Sequence, residues 1–324
     1  MFGADSQPVP AAGAWQVSMS YRTLTSDVHY SGSEEQTHRE RDRTFVINEQ
    51  RALDVGVTYA VTDRFNLALG VPVIEASWSL PTPISPLPPG PRAEQNASGL
   101  GDVSLTGRYW LLSPERRHNV SIGLGIKAPT GDHEARDVYP DIDGSNAVSK
   151  FVDQSIQPGD GGWGVLFDAQ AFHRMRRATL FGSMTYLANP RDTNGTPSIL
   201  VGLGVGGNPA FAEEGILVNS VPDQYLLRLG ALAPFGSSGW AASLAYRLEG
   251  LPRYDLIGDS HGWRRPGYEM FVEPGVAYSK DAWTATLNAP IGVYRNREPN
   301  PYSGREGDAT FPDYIVLAAL SYRF

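Results

Sequence analysis

The sequence predicts an all-β fold, a transmembrane antiparallel up-and-down β-barrel of about twelve strands with short periplasmic turns and long extracellular loops. Apolar and polar residues alternate with period two in segments of about ten residues, the spacing that sends successive side chains to opposite faces of a strand. Short and long connections alternate between those segments, as they do in membrane barrels. The 324 residues include 35 Gly, 25 Pro and 15 Tyr, a composition of turns and pleated strands. No stretch approaches the roughly 18 to 20 apolar residues of a membrane helix.

The first segment sets Trp15, Val17, Met19 and Tyr21 on one face and Gln16, Ser18, Ser20 and Arg22 on the other. A hairpin follows, with Leu53, Val55, Val57, Tyr59 and Val61, a tight turn at 62–64, and then Phe65, Leu67, Leu69, Val71 and Val73. The next hairpin aligns Val103, Leu105, Tyr109 and Leu111 with Val120, Ile122, Leu124 and Ile126. Trp163, Val165, Phe167, Ala169 and Ala171 form another segment, and a weaker one at 178–188 includes Met184 and Tyr186. Tyr225, Leu227, Leu229 and Ala231 lead to Trp240, Ala242, Leu244, Tyr246 and Leu248. The last three segments carry Tyr268, Met270, Val272, Val276 and Tyr278, then Trp283, Ala285, Leu287, Ala289, Ile291 and Val293, then Tyr314, Val316, Ala318, Leu320, Tyr322 and Phe324. Single-chain bacterial barrels use an even set of strands, and these segments supply one.

Short connections fall at 62–64, 113–118, 174–177, 234–239 and 279–282, and long polar ones at 24–48, 79–98, 130–160, 189–220, 249–266 and 295–312. A soluble sandwich has no reason to place a long loop at every second connection. Residues 14–324 therefore read as one barrel domain, preceded by a periplasmic segment at 1–13. Residues 1–14 have neither a positive n-region nor an apolar h-region, so no signal peptide is read in them.

Lipid cannot hydrogen-bond the backbone, so the last strand is expected to pair with the first. The chain's ending, Leu320-Ser321-Tyr322-Arg323-Phe324, alternates and finishes on an aromatic residue. It resembles the terminal signal read by the bacterial barrel-assembly machinery, an expected partner through Phe324. Trp15, Phe65, Trp240, Trp283 and Tyr322 are expected at the short-turn rim, with Tyr225 and Tyr268 at the long-loop rim, as aromatic girdles. Outer-membrane lipid and lipopolysaccharide are the surroundings this implies.

The chain has no Cys, which removes disulfides, thiolate metal sites and cysteine nucleophiles. A net charge of -8 without a basic run argues against nucleic acid as a partner.

Gly99-Leu100-Gly101-Asp102-Val103 with Arg108-Tyr109, followed by Gly123-Leu124-Gly125-Ile126-Lys127-Ala128-Pro129-Thr130-Gly131-Asp132, resembles a family of outer-membrane barrels named for the meta-pathway of phenol degradation. The hairpin from Tyr59 to Val73 is similar to the same family. The resemblance implies an outer-membrane protein that takes up small, often aromatic or apolar, compounds.

Strand parity places Asp54, Asp102, Arg108, Lys127, Asp168, Arg228, Arg247, Glu269, Glu273 and Arg323 on the inward face as lumen-lining candidates. Both signs are interspersed, so no strongly anion- or cation-selective pathway is written there. With a turn at 113–118, Ser104 stands opposite Lys127 and Asp102 one diagonal step away, so Asp102 and Lys127 are expected to pair near the extracellular mouth. Arg247 and Glu269 are expected near the extracellular ends of consecutive strands, and a structural ion pair outweighs solute contact in both cases.

Asp137, Asp141 and Asp143 before Gly144 offer oxygen ligands for calcium, but the spacing matches no complete EF-hand and a solvated acidic loop is the stronger reading. His29, His38, His118, His133, His173 and His261 fall in loops, turns or strand ends, and no catalytic triad is visible. No cofactor or enzymatic activity is expected. A twelve-stranded barrel lies between the filled barrels of about eight strands and the open channels of sixteen to eighteen. The leading expectation is a channel or transporter for passive uptake of small-molecule solutes, apolar and aromatic ones included. The alternatives are a non-transporting surface barrel whose loops bind a partner and, less favoured, an outer-membrane hydrolase.

Overall fold

The structure is a computed structural model that describes residues 11–302 and 304–324, so most of the segment expected at 1–13 lies outside the described residues. Twelve antiparallel barrel strands follow one another around the wall: β1 (Trp15–Ser31), β2 (Ile47–Ala60), β3 (Phe65–Pro81), β4 (Arg92–Leu100 continued by Val103–Trp110), β5 (His118–Ala128) and β6 (Gly164–Arg174), then β7 (Thr179–Ala188), β8 (Gln224–Pro234), β9 (Trp240–Leu251), β10 (Gly267–Lys280), β11 (Trp283–Asn288 continued by Ile291–Arg297) and β12 (Ala309–Arg323). β12 pairs with β1 from Gln16 opposite Arg323 to Tyr30 opposite Ala309, which closes the sheet and removes its edges.

Two interruptions bend the wall. Between Gly101 and Asp102 the register of β4 against β3 shifts by one residue, so Gln95 and Ala97 face inward above the shift and Asp102, Ser104 and Thr106 below it. Gly101 is fitted tightly there, because a Cβ on it would lie 2.9 Å from the Pro72 ring. In β11 the break falls at Ala289–Pro290, where proline has no N–H to give to the ladder.

The short connections stay close to the expected positions, at 61–64, 111–117, 175–178, 235–239 and 281–282. Gly13 N donates to Ala60 O and Phe324 N donates to Trp15 O, so both described ends of the chain lie at this rim. The aromatic girdle expected here packs ring against ring, as Trp15 on Tyr59, Trp240 on Tyr278 and Trp283 on Tyr322.

Four of the six long connections are shorter than the sequence suggests because strands run on through them, while those at 129–163 and 189–223 are slightly longer. β1 and β3 each span 17 residues, whereas a tilted crossing of the bilayer needs about 9 to 11. The residues of β3 explain the difference. Its outward face is apolar from Leu67 to Val73 and then carries Glu75 and Ser77, while its inward face changes from Asn66, Ala68 and Gly70 to Ile74, Ala76, Trp78 and Leu80. On β2, Glu49 and Arg51 take over outside where Leu53, Val55 and Val57 end, and Arg51 lies 3.5 Å from Glu75 across the outer wall. Below this inversion the barrel is built to face lipid, and above it the wall is that of a water-soluble β-barrel with an apolar interior.

That interior is filled by two long connections. The 129–163 segment holds a small hairpin (Arg136–Tyr139 with Val148–Phe151) and a 3-10 turn at Gln154–Ile156. The 189–223 segment holds a second hairpin (Thr193–Pro197 with Val218–Ser220) and two short helices, α1 (Ile199–Gly202) and α2 (Pro209–Glu213). Tyr139, Val152, Ile156, Ile199 and Leu203 from these segments are buried in one cluster with Ala52, Ile74, Ala76, Trp78 and Leu80 of the wall.

Candidate functional site

The candidate site is the lumen, which has an ion network across its middle and a loop plug at its long-loop mouth. On the β8–β10 side, Arg228 Nη2 lies 2.5 Å from Glu273 Oε1, Arg247 Nη1 lies 3.7 Å from Glu273 Oε2, and Arg247 Nη2 lies 2.5 Å from Glu249 Oε2. Arg22 Nη2 on β1 then reaches Glu249 Oε1 at 3.0 Å. Three strands separate β1 from β9 around the wall, so this last bridge is a chord through the lumen. Arg247 and Glu273 are fully buried, and only charges surrounded by opposite charge are tolerated there. Beside the network, Leu24, Phe271, Ile315 and Leu317 point inward from β1, β10 and β12 and form a small apolar cluster.

Arg247 and Glu269 do not pair with each other. Arg247 stands opposite Phe271, which leaves Glu273 within its reach, and Glu269 instead accepts from Arg295 Nε at 2.9 Å. Arg108 Nε donates to Asp168 Oδ1 at 2.6 Å across an intervening strand. Arg108 and Asp168 each stand opposite Gly123 of β5, and a Cβ on that glycine would lie 3.0 Å from the Asp168 Cβ, so the missing side chain makes the bridge possible.

Ser104 stands opposite Lys127, and Lys127 Nζ donates to Asp102 Oδ2 at 3.1 Å. The sequence missed the second acceptor: Lys127 also donates to Asp160, which arrives from the 129–163 segment. Asp102 Oδ1 accepts from Gly131 N at 3.0 Å, so this group ties the bulge of β4 to the root of the plug. Asp54 stands opposite Ser20, one inward step from Arg22, and Arg323 stands opposite Gln16 at the short-turn end.

The plug is held by polar contacts that sequence reasoning missed. Asn48 Nδ2 donates to Ser155 Oγ at 2.6 Å, Gln50 Nε2 to Ser155 O at 3.0 Å, and Asp153 N to Gln95 Oε1 at 2.8 Å. The buried Asp153 carboxylate accepts from Arg265 Nη1 at 2.9 Å and Nη2 at 2.5 Å, a fork from the 252–266 loop. Burial alone would raise the Asp153 pKa, but Arg265 and Ser155 outweigh it and hold the carboxyl below its usual range.

The three aspartates considered for calcium are not brought together. Asp137 accepts from Asn96 N and Val138 N, Asp141 pairs with Lys150, and Asp143 accepts from Ser145 N. Among the described residues no group of three or more His, Cys, Asp or Glu is arranged to hold a metal. His29 clasps two loops: its Nε2 accepts from Val46 N at 2.8 Å, which makes Nδ1 the donor to Asp308 Oδ1 at 2.6 Å.

This architecture is matched over its full length. An outer-membrane channel from Pseudomonas putida F1 superposes with a TM-score of 0.64 over 100% of both chains at 12% sequence identity. The chain has the fold of an outer-membrane β-barrel. Two more distant structures are a FadL homologue from Pseudomonas aeruginosa (TM-score 0.46, 9% identity, 96% of this chain and 90% of that one) and the Pseudomonas putida toluene transporter TodX (0.43, 10%, 98% and 92%). No family model matches the chain, and no curated protein is similar to it in sequence.

Proposed function

We propose that this barrel is a bacterial outer-membrane channel for passive movement of small solutes, with its passage along the β1–β5 wall. One observation supports this most directly. Opposite the buried ion network, the inward residues Ser18, Ser20, Gly56, Thr58, Ala68, Gly70, Ser104 and Thr106 are small and remain partly accessible. A filled barrel would cover that wall as completely as it covers Arg247 and Glu273.

Small, apolar or aromatic solutes fit this reading best. The lumen has no single-sign lining to draw ions, and the apolar cluster of plug and wall, with Tyr139 of the plug and Trp78 of the wall, stands at the mouth. The resemblance to the phenol meta-pathway barrels points to the same solute class. Lipopolysaccharide would surround the wall up to the polarity inversion, and the terminal strand ending at Phe324 would engage the assembly machinery.

The test is solute flux and conductance of the refolded protein in liposomes and planar bilayers, for the unmodified chain and for Arg22→Gln with Glu249→Gln. Removing the chord is expected to raise conductance, because it spans the lumen. A folded, inserted protein that passes neither ions nor small aromatic solutes, with or without the chord, overturns the channel. That outcome would favour the second reading, a surface barrel sealed by its loops, for which the packed plug is the supporting observation.

A further inference from the structure

The short-turn rim holds a feature unrelated to the lumen. The turns β4–β5 and β6–β7 lie side by side, since His118 stands opposite His173 and Arg174 N donates to Arg117 O at 2.6 Å. Together they present Arg116, Arg117, Arg174, Arg176 and Arg177, all exposed, against one carboxylate, Glu115. Among the described residues none of these arginines forms an ion pair, although the chain as a whole has a net charge of -8. The other charged short turns are balanced, with Asp63 beside Arg64 and Asp281 beside Lys280. Arg174 lies over the Phe172 ring, 4.7 Å from its centroid, and the other four guanidinium groups on this sector of an acidic protein repel one another unless an anion joins them.

The position of the sector identifies the anion. The imidazoles of His118 and His173 stack with centroids 5.9 Å apart on the outward face, next along their strands to Val120 and Ala171, where the lipid-facing belt begins. Leu111 and Met175 are exposed in the same turns. Cationic groups at the edge of an apolar belt, interleaved with exposed apolar side chains, match the headgroup layer of a membrane. A planar guanidinium donates in pairs to phosphate oxygens.

We propose that this sector binds the phosphate groups of anionic glycerophospholipids in the leaflet facing the short turns. The inference rests on reading the chain as a membrane barrel. Each basic residue near an anionic surface strengthens attachment about fivefold, and salt weakens it.

The test uses the full chain refolded in micelles that contain equal amounts of phosphatidylglycerol and phosphatidylcholine, with retained lipids counted by native mass spectrometry. The unmodified protein is expected to retain phosphatidylglycerol preferentially, less so as salt is raised. Arg116→Gln, Arg117→Gln, Arg176→Gln and Arg177→Gln combined should lower that preference at least about tenfold. Lys280→Gln, in a balanced turn elsewhere on the rim, should leave it unchanged. All four positions are exposed turn residues, so the combined variant is expected to fold, and heat-modifiable gel migration checks that it has. Equal retention of the two lipids by unmodified protein, or a preference that survives the four substitutions, overturns the inference. Failure to insert into vesicles at all would instead refute the membrane barrel.

Discussion

Asp153→Asn tests whether the plug is latched by the ion pair with Arg265. Asparagine keeps one oxygen to accept from Ser155 N, now 2.9 Å from the carboxylate, but loses the charge that faces the guanidinium. Removing one partner of a fully buried pair costs about 3 to 5 kcal/mol. Asp153 is fully buried, whereas the Arg265 side chain is 21% exposed and can recover part of its solvation. The appropriate figure is therefore lower, about 2 kcal/mol, and at 1.4 kcal/mol per tenfold it makes plug opening about 30 times more frequent.

Hydrogen exchange reads this directly, because the plug's own backbone bonds, such as Val152 N to Ala135 O at 3.0 Å, protect its amides. Peptides covering 150–158 should lose about 30-fold protection in Asp153→Asn while peptides from β5 and β6 stay unchanged. Arg265→Gln leaves the fully buried carboxylate unpaired and should lower protection at least as much, and the double variant should fall short of the sum, as expected for two groups in contact. Protection within threefold of the unmodified protein, or strictly additive losses, would refute the latch.

Leu124→Arg, on the outward face of β5 in the lipid belt, should destabilise the folded barrel in vesicles by about 2 to 4 kcal/mol, whereas Glu94→Arg, outside and above the inversion, should stay within about 0.5 kcal/mol. Equal costs in urea titrations would mean that the inversion does not mark the membrane edge. Burial opposes ionisation of Asp308, but the hydrogen bonds from His29 and Arg39 outweigh it and hold the carboxyl below its usual range. Since the folded value lies below the unfolded value of about 3.9, the stability Asp308 contributes should be fully present above that pH and lost as pH falls through the lower folded value. An Asp308 carboxyl that titrates at or above about 3.9, read by NMR of its carboxyl carbon, would refute this.

The barrel was legible because lipid demands an uninterrupted apolar face, and residues such as Leu67, Leu69, Val71 and Val73 satisfy it at strict period two. The same rule hides what lies above the membrane. Past Val73 the alternation continues with its sense reversed, so the apolar face reads as ending there and Ser79 falls in the expected 79–98 connection although it belongs to the same strand. Adjacent-strand contacts such as Lys127 with Asp102 follow from turn length. The chord from Arg22 to Glu249 joins residues 227 apart on strands that never pair, and its distance depends on barrel curvature, which no local pattern encodes. The basic sector shows a different loss. Arg116 and Arg117 are too few to stand out as a run, and their addition to Arg174, Arg176 and Arg177 exists only once two hairpins lie side by side.

The inversion also constrains how the proposed channel would open. Ile74, Trp78 and Leu80 line the upper wall from inside, and the plug is what keeps water from them. Fully exposing a large apolar side chain costs about 1.5 to 3 kcal/mol, so expelling the whole plug would cost well over what one ligand or one broken ion pair supplies. The upper wall and the plug therefore fold as one unit, with the loops serving as the core of that part of the barrel. Opening of the proposed channel would then be a local shift of the 153–155 segment away from Asn48, Gln50 and Gln95, contacts that are polar and readily replaced by water, with Ile156 staying in the apolar cluster. The Arg265 fork on Asp153 is the charged contact on that segment, which is why its removal, rather than loop deletion, is the perturbation that separates gating from collapse.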